Sequence, residues 1–159
     1  MAENIYKSGK ELDSLISTLK TQNRKIVFTN GVFDIIHRGH VQYLNEAKKL
    51  GDVLIVGLNS DSSVKQIKGD SRPVNNEIDR AYVLVNLKAV DNVVIFTEDT
   101  PFNLIKSIVP DVLVKGGDWK TEDIVGSDIV LESGGKVLSL KYIDNYSTTG
   151  IINKISETK

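Results

Sequence analysis

The chain of 159 residues contains no cysteine. Disulfides and thiolate metal sites are therefore excluded, and a reducing compartment fits. No apolar run approaches the roughly 20 residues that a membrane-spanning helix requires. The N-terminal stretch AENIYKSGKELDS is polar and charged, unlike a secretion signal. A large charge of one sign is missing as well. Lys and Arg number 20 against 21 Asp and Glu, a net charge of −1, so nothing draws the whole protein onto nucleic acid or an anionic membrane. Internal repeats and low-complexity linkers are absent. So are two familiar phosphate loops, G-x-G-x-x-G and G-x-x-x-x-G-K-[ST]. The expectation is a cytoplasmic protein with neither nucleic acid nor membrane as partner.

What is present suits one compact domain, since 40% of the chain is hydrophobic. Leu12, Leu15, Ile16 and Leu19 have the spacing of an amphipathic helix over residues 9–20. Short apolar runs follow at 25–29, 53–58, 93–96, 112–115 and 136–140. Most are rich in Val and Ile, as strands buried on both faces should be. Helices are predicted near 39–50, 61–67, 76–89, 101–108 and 122–133, and a last one from Ser147 to about Ile155. Asn76 can cap the third of these, Thr100 with Pro101 opens the fourth, and Gly134 with Gly135 stops the fifth. Strand and helix in alternation imply an α/β fold: a doubly wound, five-stranded parallel sheet with helices on both faces. Ligands of such sheets sit beyond the carboxyl ends of the strands.

The first strand end carries TNGVFDIIHRGH, residues 29–40, which leads into His-x-Gly-His at the start of a helix. A helix N-terminus offers unpaired N–H groups and partial positive charge, and Gly39 lets a phosphate approach the backbone. His37 and His40, the chain's two histidines, add ring donors on one side of the first turn. Two histidines alone leave zinc two ligands short. Beyond the second strand stand Asp61 and a basic loop with Lys65, Lys68 and Arg72, suited to a phosphorylated acceptor or to plain solvation. Arg80 follows on the next helix, where Glu77 and Asp79 are available ion partners. Lys48 lies eight residues past His40, about 12 Å down the helix at 1.5 Å per residue, and reads as structural. KGGDW, residues 115–119, lets a base or ribose approach closely. Asp118 can accept from ribose hydroxyls, and Trp119 can stack or wall a pocket. Ser147, Thr148 and Thr149 can cap the last helix or give hydroxyls to a second phosphate group.

FTNGVFDIIHRGHVQYL, AKKLGD, GLNSDSSVK, KGDSRPVN, DVLVKGGDW and STT together resemble the cytidylyltransferase-like nucleotidyltransferases, and within them the adenylyltransferases of ADP-heptose synthesis. The likeness runs from about Lys25 to the end. It implies a Rossmann-like fold, with residues 25–159 as the nucleotidyltransferase domain and 1–24 as an N-terminal helical segment. A sugar kinase domain precedes this one in many such proteins, and the short segment here suggests the stand-alone form. The implied reaction is ATP plus D-glycero-D-manno-heptose 1-phosphate giving ADP-heptose and pyrophosphate, with magnesium.

The likeness further implies His37 and His40 at the reacting phosphates; other relatives carry an arginine after their Ser-Thr motif where Gly150 and Ile151 stand here, so Arg80 and the lysines are expected to carry more of the charge on pyrophosphate. It assigns Asn30, Gly31, Phe33, Gly39, Lys115, Gly117, Asp118, Trp119, Ser147, Thr148 and Thr149 to the nucleotide, and Asp34, Asn59, Asp61, Lys65, Lys68 and Arg72 to the acceptor. Asp61 is also a candidate for indirect metal contact; no direct metal ligand is assigned. Glycerol-phosphate cytidylyltransferases carry an arginine shortly before the final STT. Here Tyr142, Ile143, Asp144, Asn145 and Tyr146 stand instead, which favours ATP over CTP. Rival readings are a cytidylyltransferase for an alcohol phosphate, a nucleotide-binding module without turnover, and a fragment of a tRNA-charging enzyme. The charge balance opposes the last. A symmetric dimer is the default assembly.

Overall fold

The computed structural model describes residues 3–141 and 146–158. In chain order the elements are β1 (Ile5–Lys7), α1 (Lys10–Thr21), β2 (Ile26–Gly31), α2 (Arg38–Lys48), β3 (Val53–Asn59), α3 (Asp61–Lys68), α4 (Glu77–Val85), β4 (Asn92–Phe96), α5 (Phe102–Ile108), β5 (Val112–Gly116), α6 (Ser127–Glu132), β6 (Lys136–Leu140) and α7 (Thr148–Glu157). The strands form one parallel sheet in the order β1-β4-β3-β2-β5-β6. The expected architecture is present, with six strands rather than five. The extra strand is β1, whose Ile5, Tyr6 and Lys7 pair with Val93, Val94 and Ile95. Three residues are too few to show a period in sequence, and the segment expected as helical over 1–24 therefore carries a strand as well as α1.

Successive side chains of a strand point to opposite faces, and the two apolar layers divide accordingly. Ile26 and Phe28 of β2 pack with Leu12, Ile16 and Leu19 of α1, Leu104, Ile105 and Ile108 of α5 and Val130 of α6. Val27 packs on the other face with Tyr43, Leu44 and Ala47 of α2 and Ala81 and Leu84 of α4. Three aspartates seat the strand starts. Asp52 accepts from Lys25 N–H, Asp111 from Ile26 N–H, and Asp91 from Leu54 N–H. Lys48 bonds to Asp91 and to the Asp52 carbonyl, at the sheet end away from His40.

Helix ends follow local chemistry. Asn76 caps α4 by accepting from Ile78 and Asp79 N–H, and Ser147 caps α7 by accepting from Gly150 N–H. The helix expected over 122–133 is broken. A 3₁₀ turn at Thr121–Asp123 precedes α6, and Gly126 between them holds φ at +80°, a left-handed conformation that glycine adopts without steric cost. Pro101 rather than Thr100 occupies the cap position of α5, with no side-chain cap bond.

The loops above the sheet are fixed by Arg80, which is 1% exposed. It donates from Nη1 to Val32 O at 2.6 Å, from Nε to Asn75 O at 2.9 Å and from Nη2 to Asp61 Oδ1 at 2.7 Å. Arg80→Met removes these donors and leaves buried acceptors unmet. The expected loss in urea unfolding is about 3 kcal/mol. An unchanged unfolding midpoint would show that the brace contributes nothing net.

Candidate active site

The connections of the sheet reverse direction at β2, which lies between β3 and β5. Open α/β sheets bind ligands at such a point. The α2 side of the β2 tip is set by Thr29, whose hydroxyl is 2.6 Å from Tyr43 Oη; the same Tyr43 oxygen donates to Val114 O of β5. Tyr43 therefore fixes α2 across the tips of β2 and β5. The first turn of α2 rises over them, with His37 at the cap and Gly39 and His40 following.

The two imidazoles stack with centroids 3.8 Å apart and planes 19° apart, and Phe33 meets His40 edge-on at 5.2 Å. Gly39 leaves little room to spare in this arrangement. A Cβ there would lie 3.1 Å from the His37 ring and 3.0 Å from Tyr146 Cβ. The Nδ1 atoms of both histidines are buried without a hydrogen-bond partner among the described residues. Burial, then the neighbouring His37 charge, pushes His40 down to about 4. Burial lowers His37 as well. Both rings are thus neutral at pH 7, and an arriving phosphate would reverse the electrostatic preference.

A cavity of about 250 Å³ opens beside the rings, lined by Asn30, Gly31, Val32, Phe33, Asp34, His40, Tyr43, Lys68, Arg72, Gly116, Thr148 and Thr149. It brings the ends of β2 and β5 and residues of α2, α3 and the adjoining loops together with α7. Two helix N-termini meet on it. In α2 the first intrahelical bond is Val41 N–H to His37 O, and in α7 it is Ile151 N–H to Ser147 O. The amides before these point out of the helix ends, each end carrying roughly half a positive charge. Ser147 is used as the cap, while Thr148 Oγ1 donates to Ile35 O.

Several expected site residues are also parts of the frame. Asp34 is buried. Its carboxylate accepts from Val74 and Asn75 N–H and from Arg72 Nε at 2.7 Å. Burial by itself raises its pKa; the amides of Asn75 and Val74 and the Arg72 guanidinium outweigh this and hold it below the usual value. Asn59 donates to Ser63 Oγ inside the protein. Asp61 accepts from Arg80 through Oδ1 and so forms part of the brace. Arg80, expected at the reacting phosphates, is not among the residues lining the cavity, and three of its N–H groups are engaged in the frame. Lys65 is exposed on α3, and Asp118 is exposed in the turn after β5. No carboxylate lining the cavity is free, and no group of three or more His, Cys, Asp or Glu that would hold a metal exists among the described residues.

Lys115 and Trp119 lie on the other side of the strand tips. They line a second cavity of about 150 Å³ with Asn30, Pro101, Asp123, Ile124 and Val125. Sequence reasoning missed Tyr43 and Tyr146. Tyr43 reads as one more apolar position of α2, and Tyr146 becomes visible only once it lies against Gly39 and over Arg38. Tyr142, Ile143, Asp144 and Asn145, weighed above for base preference, lie outside the described residues. A larger groove of about 510 Å³ sits at the opposite end of the sheet, between Lys20, Arg24, Lys25 and Lys136. None of the expected site residues lines it.

Comparison with known proteins agrees with this geometry. The chain is 53% identical over 153 residues to the bifunctional protein HldE of Nitratiruptor sp., covering 96% of this chain and 32% of that protein. It is 50% identical over 147 residues to the bifunctional protein HldE of Helicobacter pylori, covering 92% and 31%. The chain thus spans about a third of the length of these relatives. Among solved structures, the lipopolysaccharide core biosynthesis protein of Thermoplasma volcanium matches with a TM-score of 0.60 and 29% identity over 78% of this chain and 99% of that one. Pantoate-beta-alanine ligase of Francisella tularensis shares the fold, with a TM-score of 0.59, at 17% identity over 96% of this chain and 78% of that one. The profile of the cytidylyltransferase-like family matches residues 28–154, and the chain belongs to that family.

Proposed function

We propose that the protein transfers AMP from ATP to D-glycero-D-manno-heptose 1-phosphate, giving ADP-heptose and pyrophosphate. One observation carries this reading. His40 lines a cavity where two helix N-termini and the cations Lys68 and Arg72 converge, and His37, neutral like it, stacks on its ring. That is a site for polyanions, built where no carboxylate can act as a strong base. The reaction needs none, because a phosphate acceptor is already ionised at neutral pH. The half of the argument that names the sugar rests on likeness. The relatives are bifunctional HldE proteins, and one solved neighbour is called a lipopolysaccharide core biosynthesis protein. The product belongs to surface-glycan precursor synthesis in the cytoplasm, and the assembly is a homodimer.

The bond formed joins the acceptor phosphate oxygen to the α-phosphorus of ATP, and the bond broken releases pyrophosphate. His37 and His40 donate to the α-phosphate and its bridging oxygen as charge gathers there, and the first-turn amides of α2 and α7 hold neighbouring phosphates. Lys68 and Arg72 meet the acceptor phosphate. With Arg80 committed to the frame, these cations and Lys115 offset the charge on the phosphates. Magnesium, if it accompanies ATP, is carried by the nucleotide.

The direct test is pyrophosphate release with ATP, CTP, GTP and UTP crossed with several sugar 1-phosphates. ATP with the heptose phosphate should be fastest. Turnover with CTP ten times better than with ATP would overturn the assignment.

Each histidine should matter to the chemistry and little to folding. His40→Ala and His37→Ala should each lower kcat by about a hundred- to a thousand-fold, the worth of one donor at the developing charge. Their melting temperatures should stay within a few degrees, corresponding to about 1 kcal/mol. The double variant should lose less than the product, because both rings serve one phosphate. A folded His40→Ala enzyme with near-normal kcat removes the histidines from the mechanism.

The depressed His40 value also sets a pH dependence. Its folded pKa of about 4 lies below the ordinary histidine value of 6.5. The stability from keeping the ring neutral is therefore complete above about pH 6.5 and is lost as pH falls from there toward 4, where the unfolded chain takes up the proton first. Thermal melting of the free protein should fall over this window, and His40→Asn should flatten that part of the curve. Equal slopes for the two proteins would contradict the burial of a neutral ring.

A further inference from the structure

The cavity under Trp119 is separate from the histidine cavity by construction. In β2, Thr29 points to α2 while Asn30 points to the opposite layer; in β5, Val114 packs with the α2 layer and Lys115 with the other. Asn30 is the residue common to the linings of both cavities. A ligand passing over the β2 and β5 tips at Asn30 therefore has one end at the histidines and the other at Trp119.

Trp119 is 50% exposed yet firmly placed. Its backbone N–H donates to Ser139 Oγ at 3.1 Å and its Nε1–H to Gly116 O at 3.1 Å. The Ser139 hydroxyl in turn donates to Gly117 O. The indole's polar edge is thus satisfied, and a rigid apolar face is left to the cavity. Ile124 and Pro101 complete the apolar wall. The polar lining is Asn30, Asp123 and Lys115. The Lys115 ammonium, whose pKa is lowered by burial, has the Asn30 side-chain oxygen at 3.4 Å and no ion pair within 4.0 Å among the described residues. A ring with C–H groups on one face and hydroxyls at its edge matches that mixture. With a volume of about 150 Å³, the cavity offers space for one small ring.

We propose that this cavity is the sugar subsite of the acceptor: the ring lies on the Trp119 indole, its hydroxyls meet Asp123 and Asn30, and its phosphate reaches past Lys115 to the histidines. The inference rests on the adenylyl-transfer reading and adds to it the residues that choose the sugar. The adenine of ATP is the other ring available, but it has its own space. A cavity of about 160 Å³ lies on the α2 side between Gly39, Gln42, Tyr43 and Leu140. In this proposal the base of a nucleotide whose α-phosphate sits at His40 takes that side.

Trp119 is the only tryptophan of the chain, so its fluorescence reports this cavity alone. Titration of the intact protein with D-glycero-D-manno-heptose 1-phosphate should change the emission saturably. Inorganic phosphate, and ATP with magnesium, should leave it unchanged. In steady-state kinetics, Trp119→Ala should raise the acceptor KM at least tenfold with the ATP KM within twofold, and Trp119→Phe should recover most of the loss. An emission change with ATP and none with the sugar phosphate would overturn the proposal in favour of a base pocket. So would an unchanged acceptor KM in an active Trp119→Ala enzyme, with adenylyl transfer left standing. If the wild type turns over no sugar phosphate yet the heptose phosphate still changes the emission, the sugar subsite is supported and the reaction assignment falls.

Discussion

The Asp34 carboxylate is the point from which the upper half of the site is hung. It sits just after β2, is buried, and gathers two amides and a guanidinium from the loop that precedes α4. Leaving a carboxylate buried without these donors would cost several kcal/mol, so the loop and the charge require one another. Three consequences follow from that one cluster. The loop lies over the histidine cavity instead of in solvent. Arg72 is held by its Nε with its outer nitrogens uncommitted to Asp34, beside Lys68. Asn75 and Asn76 are placed to receive Arg80 and to start α4. Because the carboxyl is held below its ordinary value, its contribution to stability is complete above the usual carboxylate range. It is lost as pH falls through the lowered value.

The histidine pair works under a different constraint. Stacked at 3.8 Å with both Nδ1 atoms buried, the rings cannot both carry charge in the free protein. Burial keeps both neutral, and at His40 the neighbouring His37 adds to it. The positive potential of the empty cavity therefore comes from the two helix ends and from Lys68 and Arg72. The rings become strong donors only when a phosphate supplies the compensating charge. Donors that strengthen as negative charge arrives are what an associating polyanion needs. They also leave the net charge of −1 irrelevant to binding, since the field at the cavity is set locally.

Most of the architecture was readable because parallel strands buried on both faces write themselves as Val- and Ile-rich runs, and because caps such as Asn76 and Ser147 act through bonds that one residue makes. His37, Gly39 and His40 were readable for the same reason: their spacing fixes a face of one helical turn. The misses share a cause of the opposite kind. β1 has only three residues, and it is a strand because β4 has a free edge. The break at Gly126 depends on α6 packing near Ile105, whose side chain stands within 3 Å of where a Cβ would be. Arg80 looks like a surface partner of Glu77 or Asp79, yet its fork is filled by two carbonyls and Asp61. Such roles depend on loops distant in sequence, which no local pattern records. The guanidinium bonds of Asp34 and Asp61 went unforeseen for the same reason, since a carboxylate at a strand end looks alike whether it meets a ligand or a guanidinium.

The two-faced geometry at β2 was also within reach of the sequence, by counting from Phe28. Alternation puts Asn30 on the layer of α5 and α6 and Thr29 on that of α2. The same count from Leu113 puts Lys115 with Asn30. A transferase has to bring two anions together without letting either occupy the place of the other. Strand alternation does this without any moving part, because adjacent residues of one strand face different cavities and a ligand must cross the strand tip to join them. Asn30, common to both linings, stands at that crossing, and Gly31 beside it keeps the passage low. A Cβ at Gly31 would meet the Phe33 ring at 2.9 Å, displacing the side chain that holds His40 edge-on. The smallest residue of the motif therefore has two duties: it keeps the crossing open, and it lets Phe33 settle the histidine that receives the charge.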